Sequence, residues 1–124
     1  MTEDTKKAAQ AAGIDNEADR FGALKAKYGK IYMVTVDVPD DAGDLRRKEY
    51  LFKRPTAASY DRLLQSAPGG QWRALKILIQ DNLLEEYQDR FAADLEDYPG
   101  LVIPLGQKLL DMLGANGGTG VKKL

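Results

Sequence analysis

Polar and apolar positions alternate in pairs along one early stretch of the chain, and after it they recur at three- and four-residue spacing almost to the end. From Lys30 to Val38, Tyr32, Val34, Val36 and Val38 share one face by the two-residue period of a strand. Ile31, Met33 and Thr35 occupy the other, and Asp37 ends it. From Arg47 to Arg54 the alternation returns, with Tyr50 and Phe52 set against Glu49, Leu51 and Lys53. The segment between them, Pro39-Asp40-Asp41-Ala42-Gly43-Asp44, is built of turn formers, and Gly43 is available for positive φ. The two runs predict one antiparallel hairpin.

Helical spacing takes over on either side. Asp15 or Asn16 can cap a helix through Phe21, Leu24 and Tyr28, with Gly29 where it would stop. After Pro55, Thr56 is placed to cap a helix carrying Tyr60, Leu63, Leu64 and Ala67, which Pro68-Gly69-Gly70 breaks. Trp72, Leu75, Ile79 and Leu83 then fall at i, i+3, i+7 and i+11, widened by Leu78, and the stripe is expected to face inward together with Leu105. A further segment holds Phe91, Leu95 and Tyr98 before Pro99-Gly100. The last, Leu101 to Leu113, carries Leu105, Leu109 and Leu110 and is apolar on most sides, with Gly114 as its stop.

The expected fold class is therefore α+β: one antiparallel β-hairpin packed against four or five helices in a single domain over residues 17–114. Residues 1–16 are rich in Ala, Lys and acids with Ile14 as the only large aliphatic, and read as a flexible arm. Residues 115–124 have linker composition and read as a flexible tail.

Composition narrows the chemistry. The chain has 124 residues, no cysteine and no histidine. That removes disulfides, thiolate metal sites, the commonest general base and the commonest zinc ligand. No Ser or Thr has a candidate base beside it, so no catalytic residue, cofactor or metal ligand is assigned and an enzyme is not expected. The net charge of −1 lacks the basic excess of a nucleic-acid binder, and no apolar run approaches the roughly 20 residues of a membrane span. The start Met1-Thr2-Glu3-Asp4-Thr5-Lys6-Lys7 lacks the apolar stretch of a signal peptide, so a cytoplasmic protein is expected.

Charge is nonetheless segregated. Arg46, Arg47, Lys48, Lys53 and Arg54 gather on the second strand. Asp81, Glu85, Glu86, Asp89, Asp94, Glu96 and Asp97 stand against Arg90 alone. The basic residues with interleaved Tyr50 and Phe52 can stack a single-stranded nucleic acid or can blunt an exposed strand edge. The acidic stretch has no calcium-loop spacing and reads as a solvated helical face. A lone hairpin needs cover, and Ile31, Met33 and Leu51 are either covered by the domain's own helices or form a subunit contact. One copy's Arg46, Arg47 and Lys48 against another's Glu85, Glu86 and Asp89 would make a heterologous homo-oligomer.

A helix ending Lys27-Tyr28-Gly29-Lys30, the strand Ile31-Tyr32-Met33-Val34-Thr35-Val36, the strand closing Tyr50-Leu51-Phe52-Lys53-Arg54-Pro55, and a late Tyr98-Pro99-Gly100-Leu101 before a leucine-rich helix together resemble the tail assembly chaperone group of long-tailed bacteriophages and prophages. The resemblance spans Leu24 to Gly114 and carries no catalytic residue. It implies a non-enzymatic protein in the host cytoplasm that binds the helical tape-measure protein while the tail is built, self-associates, and is absent from the finished virion. Members of the group often have a longer form made by ribosomal frameshifting, for which Lys122-Lys123 is a candidate site. The rival expectations are a tail-completion or head-tail adaptor retained in the virion, and an enzyme using the acidic stretch as a metal site.

Overall fold

The computed structural model of the chain describes residues 20–115 and 117–124; the arm expected over residues 1–16 lies outside them. Two units separate by their internal contacts, residues 1–31 and 32–124. In the first, the described residues form helix α1 (residues 20–28), which ends at Gly29 with the Gly29 N–H donating to the Lys25 carbonyl at 2.8 Å.

Strand β1 (Ile31–Pro39) and strand β2 (Leu45–Lys53) pair as a two-stranded antiparallel sheet. Asp40 organises the turn between them. Its Oδ1 accepts from the N–H groups of Ala42 and Asp44, each at 2.9 Å, and its own N–H donates to the Asp44 carbonyl at 2.8 Å. Gly43 supplies the positive φ, +88°, that a side chain would resist. With the turn closed at Asp44, pairing starts at Leu45, two residues before the Arg47 that alternation alone indicates.

The two strands differ in cover. In β1 Val34 and Val38 are buried while Met33, Thr35 and Asp37 are exposed, as the two-residue period requires. In β2 Tyr50, Leu51 and Phe52 are buried consecutively. Alternation fails there because both faces are covered and the strand's outer edge is occupied: Phe52 forms a single antiparallel bridge with Leu83, and the Leu84 N–H donates to the Leu51 carbonyl at 3.0 Å. The Tyr50 ring meets Phe91 edge-on, with centroids 5.9 Å apart and planes at 87°, the geometry aromatic quadrupoles favour.

Four helices follow: α2 (Ala57–Ser66), α3 (Gln71–Asn82), α4 (Gln88–Asp97) and α5 (Val102–Met112). Short 3-10 turns, Ala67–Gly69, Glu85–Tyr87 and Pro99–Leu101, precede the last three. Thr56 begins α2 with a reciprocal cap: its Oγ1 accepts from the Ser59 N–H at 3.2 Å, and the Ser59 Oγ accepts from the Thr56 N–H at 3.0 Å. Such a cap stabilises a helix start by about 1 kcal/mol. Among the described residues the elements are thus one hairpin and five helices, an α+β architecture.

Helix α3 packs against both α2 and α5. Its buried face is Ala74, Leu75, Leu78, Ile79 and Asn82, and α5 buries Val102, Leu105, Gly106 and Leu109, each large aliphatic adding about 1.5–3 kcal/mol on burial. Leu75, Ile79 and Leu105 lie inward as their spacing predicts. Trp72 does not: it is 41% exposed, because the whole first turn of α3, Gln71 to Arg73, is exposed. Leu64 likewise stays at the surface of α2.

Gly106 sets how closely α5 approaches α3. A Cβ at that position would lie 2.8 Å from Leu75 Cδ2 and 2.9 Å from Leu75 Cβ, closer than carbon atoms pack. Among the described residues no helix is long and apolar enough to cross a membrane.

Candidate binding site

The three basic residues at the start of β2 are each engaged by an acid of the same molecule. Arg46 pairs with Asp40 at 2.8 Å, Arg47 with Asp37 at 3.4 Å and Lys48 with Asp94 at 3.4 Å. The Arg46 guanidinium, with the turn N–H groups, holds the Asp40 carboxyl below its ordinary value. Glu85 and Glu86 sit exposed in the 3-10 turn before α4, and Asp89 is exposed in its first turn. The two charged sets are thus not brought together within one molecule. Of the apolar candidates, Ile31 is half-buried and Met33 is 38% exposed, whereas Leu51 is only 2% exposed. Leu51 is therefore corrected from a candidate contact residue to a core residue: its side chain is buried within the fold, and the Leu83–Leu84 connection pairs with the strand at this point.

The acidic stretch is also not one solvated face. Asp94 turns in beneath β2, where it accepts a hydrogen bond from the Tyr50 hydroxyl as well as the Lys48 contact. Burial of the Tyr50 hydroxyl, and then its bond to Asp94, push its pKa well above the ordinary 10.0. It is a neutral donor holding β2 to α4, unsuited to proton transfer near neutrality. Among the described residues no three acids come together as a metal site.

Lys53, Arg54, Arg62 and Asp81 border a cleft of about 330 Å³. Its arginines are already committed. Arg54 Nη2 donates to the Met112 carbonyl at 3.1 Å, and Arg62 Nε lies 3.2 Å from Asp81 Oδ2. That second contact is an ion pair without hydrogen-bond alignment, since Asp81 Oδ2 is buried with no hydrogen-bond partner. The cleft reads as a structural join between β2, α2 and α3.

The surface with most to offer a partner lies between α3 and α4. The Trp72 indole forms one wall, its Nε1–H donating to the Pro99 carbonyl at 2.7 Å, which fixes the ring, and the Lys76 ammonium lies 5.2 Å from the ring centroid. Phe91, Ala92 and Leu95 of α4 supply the apolar floor, and Gln80, Gln88 and Glu96 the polar rim, of a groove of about 420 Å³. Gln88 is anchored, its Nε2 donating to the carbonyls of Gln80 and Leu83, each at 3.0 Å. A fixed aromatic wall, an apolar floor and hydrogen-bonding edges suit an apolar side chain presented by another protein. Sequence reasoning placed Trp72 in the core. The signal against that is local: a tryptophan one residue into a helix, between Gln71 and Arg73 and two positions after the pair Gly69-Gly70, stands where a helix has not yet reached its neighbours.

The model of one family, a domain of unknown function (DUF6848), matches residues 24–122, and the chain belongs to that family. No curated protein matches the chain. Among solved structures it is similar to an uncharacterised protein from Bacillus stearothermophilus, at 23% identity and a TM-score of 0.68, over 82% of this chain and 98% of that one. That likeness concerns the fold.

Proposed function

Within this family, we propose that the chain is a non-enzymatic assembly chaperone of long-tailed phage tails, acting in the host cytoplasm on the tape-measure protein. The observation that carries the reading is Trp72, held by Pro99 at the open edge of the α3–α4 groove and 41% exposed. A tape-measure protein is a long helix whose apolar stripe lacks its final partners until the tube forms around it. The α3–α4 groove takes one turn of such a stripe, with an aliphatic or aromatic side chain against Trp72 and Leu95. Lys76 on one edge and Glu96 on the other meet charges flanking the stripe, which favours one direction of the bound helix. Aromatic anchors in well-packed pockets dominate such contacts, so Trp72 carries most of the affinity.

The test is co-expression with the tape-measure protein of the same tail gene cluster. The wild-type chain is expected to keep that protein soluble and to copurify with it, and the Trp72→Ala chain to do neither while folding normally. Equal rescue by both chains removes the groove from the mechanism. Stoichiometric recovery of the chain in purified virions would replace the chaperone reading with that of a retained adaptor.

A further inference from the structure

Beside the turn of the hairpin two depressions lie next to each other. One is an apolar slot of about 270 Å³ whose walls include Val36, Val38, Leu101 and Pro104. The other, of about 400 Å³, is bordered by Asp40, Asp41 and Asp97. Pro39 and Tyr98 belong to both, and the Tyr98 hydroxyl donates to the Pro39 carbonyl at 2.8 Å, so the wall between them is fixed. Asp40 is neutralised by Arg46. Asp41 and Asp97 are exposed and form no ion pair among the described residues.

The same chain carries a segment of matching chemistry. Residues 117–124 have no regular structure and are exposed throughout. Val121 is 99% and Leu124 107% exposed, so two aliphatic side chains stand in water with Lys122 and Lys123 between them. The family match runs past the end of α5 at Met112 as far as residue 122, so most of this segment belongs to the domain. In an extended chain, side chains two residues apart share a face at a spacing of about 6–7 Å. One face of the segment then offers Val121 with Lys123, and the other Lys122 with Leu124. Either is an apolar group beside an ammonium group, and the surface offers an apolar slot beside two unpaired carboxylates.

We propose that residues 121–124 of one copy dock into this slot and acidic cleft on a second copy. Val121 and Leu124 are fully exposed, so the segment does not occupy the slot of its own chain. The two patches of one contact are different surfaces, so the copy that lends its segment keeps a free slot and the copy that accepts it keeps a free segment. Association is heterologous and propagates to a ring or a filament. This goes beyond the tape-measure reading and does not depend on it, because none of these residues borders the Trp72 groove.

The experiment is sedimentation velocity over a concentration series, with the chain, a Lys122→Glu/Lys123→Glu variant, an Asp41→Lys/Asp97→Lys variant, and an equimolar mixture of the two variants. All four positions are exposed, so a thermal melt is expected to be unchanged in each variant. The wild type is expected to gain mass with concentration. Each variant alone is expected to bind itself more weakly by about tenfold or more, because attraction becomes repulsion. The mixture is expected to recover association, since each variant's segment then meets a slot of opposite charge on the other. A wild type that stays monomeric, an oligomer indifferent to either reversal, or a mixture that fails to recover would each overturn the proposal.

Discussion

Helix α3 makes two interfaces of opposite character. Toward α5 it is closed: Leu75 fills the space that Gly106 leaves, with no room for one further carbon. Toward α4 it is open at its first turn, where Trp72 stands over a groove floored by Phe91 and Leu95. The contact that lacks a side chain is the tight one, and the contact with the largest side chain is the loose one. Stability and recognition are thereby carried by different residues of one helix, and substitutions should separate them.

The largest effect is expected at the closed interface. Leu75→Ala removes a buried side chain and should cost about 2–5 kcal/mol in unfolding free energy measured by denaturant titration. Gly106→Ala overpacks the same contact and should cost about 1–3 kcal/mol, against a helix-propensity gain of about 1 kcal/mol. Since both changes act on one contact, the double variant should be more stable than the sum of the two costs allows. Strict additivity in the cycle would show that the two residues do not share the space assigned to them.

Next comes the tie between β2 and α4. Tyr50→Phe leaves the rings in place and removes the hydroxyl, at a cost of about 1–3 kcal/mol because Asp94 loses a partner in a half-buried site. The pH dependence has a definite sign. The hydroxyl titrates near the ordinary 10.0 in the unfolded chain and higher in the folded one, so its stabilisation is complete below about pH 10 and is lost as pH rises beyond it. Tyr50→Phe should flatten that alkaline limb in melts followed by circular dichroism.

At the open interface the expectation is reversed. Trp72→Ala should change stability by no more than about 1–2 kcal/mol, since much of the ring is already in water, yet abolish capture of the partner helix in a binding titration. A large loss of stability there would move Trp72 back into the core.

The smallest effect belongs to Asp40. Its folded pKa is lowered, so the stability it lends is present above the ordinary aspartate value and is lost as pH falls through the folded one. An Asp40→Asn chain should therefore show a shallower acid limb at an otherwise similar melting temperature.

The parts legible in the sequence are those decided within a few residues. The hairpin, the Asp40–Asp44 turn with its positive-φ glycine, the Thr56 cap and the stop at Gly114 all follow from local chemistry. The inward stripe of Leu75, Ile79 and Leu105 follows from spacing. What was not legible depends on where elements meet. Nothing near Asp94 in the sequence announces that Tyr50, 44 positions away, will claim it, and a solvated acidic face was the natural reading. Gly106 looks like an interruption in a leucine-rich helix until α3 lies against it. Leu51 alternates as an outward residue and is buried because the Leu83–Leu84 connection crosses to β2. The candidate groove was missed for the same reason: period alone assigns Trp72 to the core, and only the ends of α3 and α4 show it to be a wall.

The bond between the Trp72 indole and the Pro99 carbonyl also gives the chain its own optical probe. Trp72 is the single tryptophan, anchored to the turn before α5 and half in water at the mouth of the groove. Excited selectively, beyond the absorption of the six tyrosines, its emission comes from one place. A helix settling over the ring excludes water and shifts that emission to the blue. Client capture can then be followed unlabelled, from a reporter that is part of the site itself.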